Sequence, residues 1–134
     1  MKKATFTLVQ YRLKRARESL LDAQTLYKSG SLYSTVNRIY YAMFYAVNAL
    51  LLSKDLSSSK HSGVKALLSR EFVNKGIIDK KAGRFYSEIF EKRQKGDYKD
   101  LVEFEKEDVS KWLRQAGDFL IKIETLITGP AEDE

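Results

Sequence analysis

The stretch NRIYYAMFYAVNALLL, Asn37 to Leu52, decides the fold. Together with the residue before it, its Val36, Tyr40, Met43, Val47 and Leu50 recur at spacings of four and three, which makes one apolar stripe on a helix. A strand would need alternation at period two, and the stretch has none. Asn37, Tyr41, Tyr45 and Asn48 fall four, four and three apart, so they form a polar-aromatic face beside the stripe. Two roles suit that face. It is a helix–helix or subunit contact where hydroxyls and amides satisfy one another, or it is the wall of a cleft.

Outward from this helix, the same periodicity marks four more. The central helix runs from about Leu32 to Lys54, with Ser31 as its cap. Before it, Val9, Leu13, Ala16, Leu20, Ala23 and Tyr27 trace a face from about Thr7 to Lys28, and Ser29-Gly30 ends it. After it comes a turn-forming loop, Asp55 to Ser59. A shorter helix follows from about Lys60 to Lys75, with Val64, Leu67, Leu68 and Phe72 inward and Gly76 closing it. Asp79 caps a helix from about Lys80 to Lys95 that buries Phe85, Ile89 and Phe90, with Gly96 as the stop. The last helix runs from about Glu105 to Thr128 and Gly129-Pro130 ends it. Short links between long helices favour antiparallel neighbours. The expected fold is all-α, an up-and-down four-helix bundle with an additional shorter helix. Residues 1–129 form one domain and 130–134 a short acidic tail.

Composition narrows the function classes. Apolar residues at 43% against 31% charged describe a chain that buries a core, not a disordered one. No run is apolar enough for a membrane span, and the first residues lack the apolar core of a secretory signal. With no cysteine there is no thiolate metal site and no disulfide framework. A cytoplasmic protein is expected. The net charge of +6 suits anionic partners, yet Lys and Arg are spread along every segment among acidic residues. Both a solvated basic surface and a phosphate-holding patch fit.

A single histidine, His61, rules out two-histidine motifs such as HExxH. No phosphate-binding glycine motif is present, and no metal or cofactor is expected. Glu103, Glu105, Glu107 and Asp108 sit where carboxylates complement the dipole of the last helix. His61 opens the short helix, either as a surface or capping residue or as a group for proton transfer. Arg93 lies three after Phe90 and four after Ile89, so a guanidinium falls on the packing stripe. An unpaired buried charge is costly, so it pairs with Asp97 or reaches a cleft mouth, where its planar fork fits phosphate.

Three segments carry a family resemblance: NRIYYAMFYAVNALLL, then KHSGVKALLSREFV, then RQKGDY at Arg93 to Tyr98. In that order and spacing the chain resembles the HEPN superfamily, in its small stand-alone UPF0332-type branch. The resemblance implies a helical bundle that homodimerises. It implies a toxin of a toxin–antitoxin pair, acting as a metal-independent endoribonuclease, with an MNT-type nucleotidyltransferase as its antitoxin. Arg93 matches the arginine of the family's Arg-x4–6-His motif, and Gln94 is its polar companion. Tyr98 stands where the motif places histidine. Catalytic candidates are therefore Arg93, Tyr98, Asp97 and His61, with Asn37, Tyr41, Tyr45 and Gln94 binding RNA in the cleft. Tyr98 is also the candidate for adenylylation by the partner. The alternative is a non-catalytic module that docks the nucleotidyltransferase, RNA or a nucleotide.

Overall fold

The structure, a computed structural model, describes residues 1–98 and 103–129, with side chains for all of these except 96–98. Five α-helices account for the described chain: α1 (Lys3–Lys28), α2 (Leu32–Ser53), α3 (His61–Leu68), α4 (Lys80–Tyr98) and α5 (Lys106–Thr128). No strand occurs among the described residues. No helix among them is long and apolar enough to cross a membrane. The acidic tail, 130–134, lies outside the described residues.

α2 is the axle, in contact with α1, α3, α4 and α5. Its stripe of Val36, Tyr40, Met43, Val47 and Leu50 is fully or almost fully buried, as the spacing requires. Ile39, Ala42, Ala46, Ala49 and Leu51 are buried as well, so the helix is covered on more than one side. Each large apolar side chain taken from water here contributes about 1.5–3 kcal/mol. From the neighbours come Ala16 and Ala23 of α1, Phe85, Ile89 and Phe90 of α4, and Val109, Phe119 and Ile123 of α5.

Cross-helix pairs fix the directions. Arg15 reaches Tyr45, while Val9 and Leu13 pack with Ala49, so α1 and α2 run antiparallel. Arg17 pairs with Glu124 and Tyr27 bonds the carbonyl of Lys106, so α5 opposes α1. Lys122 pairs with Asp79, Tyr86 stacks on Phe119, and Lys92 covers Trp112, so α4 opposes α5. The long helices thus alternate up and down, and α3 packs against α2 and α4.

The structure differs from the sequence reading in four places. α1 begins at Lys3, one turn before the expected start near Thr7. Ser31 occupies the N-cap position of α2, but its side chain makes no capping bond; its carbonyl instead accepts from the N–H and hydroxyl of Thr35 at 2.9 and 2.8 Å. The third segment is not one α-helix. After Leu68 it widens into a π turn, Ser69–Val73, before Gly76 closes it at φ 77°. The apolar spacing is too coarse to register one extra residue in a turn. Nor does Gly96 stop α4, which continues to Tyr98. Glycine inside a helix costs about 1 kcal/mol relative to alanine, a tax and not a barrier. The Asp79 cap is found, accepting the Ala82 N–H at 3.1 Å.

Candidate functional site

His61 is the first residue of α3, and the serine loop sets its position. Lys60 is extended, with φ −111° and ψ 142°, and its N–H donates to the Ser58 hydroxyl at 3.2 Å. Gly63, one residue beyond His61's neighbour, has no side chain to hold that loop away. A β-carbon there would lie 2.0 Å from Ser58 Oγ and 2.9 Å from its Cβ. The loop therefore closes onto the first turn of α3 and delivers His61 to α2.

The imidazole stacks on Phe44, with centroids 4.2 Å apart and planes at 10°. Its Nδ1 is 2.7 Å from the Tyr40 hydroxyl. Burial, with help from the Arg93 charge, lowers the His61 pKa from its ordinary 6.5, so the ring is neutral at pH 7. Tyr40 is fully buried, and burial pushes its hydroxyl up to about 12, keeping it protonated. Behind it lies Tyr86, whose buried hydroxyl forms no hydrogen bond of good geometry. Its electrostatic partner is the hydroxyl of Tyr40, and burial raises its pKa well above the usual value.

A tyrosine hydroxyl is an unusual partner for a histidine because it both donates and accepts. It donates to Nδ1 when the imidazole carries its proton on Nε2. It accepts when the proton sits on Nδ1 or when the ring is imidazolium. A carboxylate would hold one tautomer and favour the charged ring. Tyr40 leaves both tautomers open to a neutral ring.

Arg93 enters from α4 and meets the same tyrosines. Its Nη2 donates to the Tyr41 hydroxyl at 3.2 Å. The guanidinium lies 5.0 Å from the Tyr40 ring centroid and 5.1 Å from that of Tyr41. The arginine on the apolar stripe is thus explained: aromatic faces receive it where the stripe reaches half-buried positions. Tyr41 also meets His61 edge to face, at 5.9 Å. Arg93 and His61, remote in sequence, belong to one cluster, joined through Tyr40 and Tyr41.

The other sequence candidates sort as follows. Tyr45 joins the cluster's edge, 6.1 Å from Tyr41 between centroids. Its hydroxyl accepts from Arg15 at 3.5 Å, and that guanidinium lies 5.1 Å from the ring centroid. Asn37 is half-buried on the same helix face. Asn48 turns back to its own helix and donates to the Phe44 carbonyl at 2.8 Å. The tyrosine hydroxyls are therefore met by arginines of other helices, not by the asparagines. Gln94 is exposed. Asp97 and Tyr98 lie on the helical backbone of α4, and their side chains fall outside the described residues. Sequence reading missed Tyr40 as a site residue, because its stripe position marks it as core. Arg15 was missed too, because only the α1–α2 register brings it to Tyr45. Among the described residues no group of His, Asp and Glu converges as metal ligands do.

Fold and cluster together define an up-and-down helical bundle with an arginine–histidine–tyrosine site where α2, α3 and α4 meet. The chain matches the HEPN domain model over residues 9–126, and it belongs to that family. It is 56% identical over 120 residues to a protein of Thermotoga maritima named "UPF0332 protein", covering 90% of this chain and 91% of that one. Two relatives from Methanocaldococcus jannaschii are named "Putative toxin MJ0142" and "Putative toxin MJ0605". The first is 36% identical, covering 82% of this chain and 75% of its own. The second is 37% identical, covering 67% of each.

Proposed function

We propose that this HEPN protein is a toxin that cleaves RNA without a metal ion, as one half of a toxin–antitoxin pair. The observation that carries this reading is the meeting of Arg93 and His61 on shared tyrosines. Cleavage by the neighbouring 2′-hydroxyl needs a base for its proton and a cation for the phosphorane. In this reading the Nε2 of neutral His61 takes the 2′-hydroxyl proton, while Nδ1–H donates to the Tyr40 hydroxyl. The 2′-oxygen bonds phosphorus, the bond from phosphorus to the 5′-oxygen breaks, and water protonates the departing 5′-oxygen. Arg93 faces the equatorial oxygens with its fork. His61 thereby stands in for the histidine that the family motif places at Tyr98. Tyr98 and Asp97 are assigned to assist at the end of α4, and Tyr98 to accept AMP from the partner.

The protein acts as a homodimer in this proposal, with an MNT-type nucleotidyltransferase as its antitoxin. Relatives named as toxins support the class. The test is cleavage of labelled RNA by purified protein in excess EDTA, beside Arg93→Ala, His61→Ala and Tyr98→Phe. Cleavage that persists with chelator and is lost with Arg93→Ala and His61→Ala supports the reading. Cleavage that needs added metal, or that survives loss of His61, sinks it.

The tyrosine at the motif position favours a second reading, a non-catalytic module that docks its partner or RNA through this face. RNA or nucleotidyltransferase binding that depends on Arg93, with no cleavage by any form, would select it.

A further inference from the structure

The arginine–tyrosine pattern does not end at the candidate site. From Arg93 and Tyr41 it continues through Tyr45 to Arg15, and Arg15 Nη1 donates to the hydroxyl of Tyr11 at 3.2 Å. Arg38 lies 5.1 Å from the centroid of the Tyr41 ring and lines a hollow with Tyr11 and Arg15. Between α1 and α2 the pattern borders a groove of about 250 Å³, walled by Leu8, Tyr11, Arg12, Phe44, Tyr45 and Asn48. Tyr11 is 52% exposed, too open to be core. Carboxylates are few along the line. Glu18 sits at the edge, 4.0 Å from Lys14 and 3.7 Å from Arg15, and Asp22 lies beyond it.

We propose that this track, running from Arg93 past Tyr41 and Tyr45 to Arg15 and Tyr11, is a binding site for a single strand of RNA. The proposal rests on the reading of the cluster as an RNA-handling site and adds where the strand lies and why it is single. Guanidinium groups interspersed with phenols suit a strand, where phosphates and bases recur side by side. Arginines hold the backbone while the exposed ring of Tyr11, and Tyr45 where it lines the groove, offer surface to unpaired bases, which every base can use. A paired helix keeps its bases stacked inside and cannot use the phenols. The track starts on α1 and ends beside His61, so a strand bound along it leads its backbone to the proposed base.

The test uses fluorescence anisotropy with a short, labelled, unstructured RNA whose 2′-oxygens are methylated, so that it binds without being cut. The same sequence annealed as a duplex is the comparison. Unmethylated strand in parallel tubes scores cleavage separately. The variants are Arg15→Gln, Tyr45→Ala and the exposed Tyr11→Ala, each checked by circular dichroism. Should Tyr45→Ala misfold, Tyr11→Ala carries the aromatic arm alone.

Tighter binding of the single strand than of the duplex is expected. Tyrosine truncation should weaken it by about tenfold. Arg15→Gln should flatten the log–log salt dependence by about 0.7, one phosphate's share in a single strand. Variants that bind like the parent overturn the track, as does a duplex that binds equally well. Loss of self-association with unchanged RNA affinity overturns it too, and makes the face a protein contact. Track-dependent binding without cleavage keeps the track and removes the nuclease. Cleavage that depends on Arg93 but not on these variants does the reverse. A parent protein that neither binds nor cuts RNA overturns both.

Discussion

The Tyr40 hydroxyl lies 2.7 Å from Nδ1 of His61, and the Arg93 guanidinium lies over the ring of the same tyrosine. One buried side chain thus joins the base and the cation of the proposed site. It does so with a partner that adapts to whichever tautomer the histidine adopts.

His61 is the sole histidine of the chain, which makes its titration readable in isolation by proton NMR. Its pKa is expected below 6.5, from burial first and the Arg93 charge second. Arg93→Gln removes the second cause and leaves the first. The pKa should therefore rise toward 6.5 without passing it. An unchanged pKa in that variant would show that the two groups are not coupled.

The same depression sets a sign for stability. The folded state favours the neutral ring, so below 6.5 the unfolded chain takes up a proton that the folded chain resists. The His61 contribution is complete above the unfolded value and falls away as pH drops through the folded one. Urea midpoints measured across that window should decline toward acid in the parent. They should decline less in His61→Gln. If cleavage uses His61 as base, its rate should fall over the same window.

Much of this site was legible from spacing and some was not. Arg93 stood out because a charge interrupted an apolar stripe, and the half-buried Tyr41–Tyr45 face was visible for the matching reason. Tyr40 was hidden by the same logic: a tyrosine on a buried stripe reads as core, and its hydroxyl partner arrives from another helix. Arg15 had no pattern to betray it, since its role appears only once α1 lies antiparallel to α2. Gly96 misled because glycine stops a helix by adopting the left-handed region, and composition does not say whether it will. Gly129, at φ 76°, does stop α5.

Tyr40→Phe keeps the ring in the aromatic cluster and removes one hydroxyl. His61 Nδ1 loses its hydrogen-bond partner, and the Tyr86 hydroxyl loses its electrostatic neighbour. A buried hydrogen bond of this kind contributes about 1 kcal/mol net. Chemical denaturation should show a loss of that size with the far-ultraviolet spectrum unchanged. Cleavage should fall about tenfold or more, because the imidazole is no longer oriented. Full activity would mean that Phe44 stacking alone positions the ring.

Arg93→Lys separates charge from shape. Lysine keeps the cation but not the planar fork that lies over Tyr40 and Tyr41 and bonds the Tyr41 hydroxyl. RNA binding should persist at low salt, while cleavage falls nearly as far as in Arg93→Ala. Equal activity in the lysine variant would reduce Arg93 to a point charge and undo its assignment to the phosphorane.

Gly63→Ala tests how His61 comes to be where it is. The new β-carbon would meet the Ser58 side chain at 2.0 and 2.9 Å, distances no folded packing tolerates. The hydroxyl cannot simply swing aside, because the Cβ of Ser58 is itself too near and Lys60 N–H is bonded to its Oγ. The serine loop must move, and the first turn of α3 with it. Overpacking of this kind costs about 1–3 kcal/mol. The stability loss alone would not implicate the site, but the His61 resonance would: its pKa should shift as the ring leaves Tyr40 and Arg93. Ser58→Gly in the same chain removes both offending atoms and, with them, the two exposed hydrogen bonds that Ser58 Oγ makes with Lys60. The double variant should therefore recover most of the lost stability and return the titration toward the parent's. If Ser58→Gly restores neither, the contact between loop and helix does not position His61, and its placement must come from the stack on Phe44.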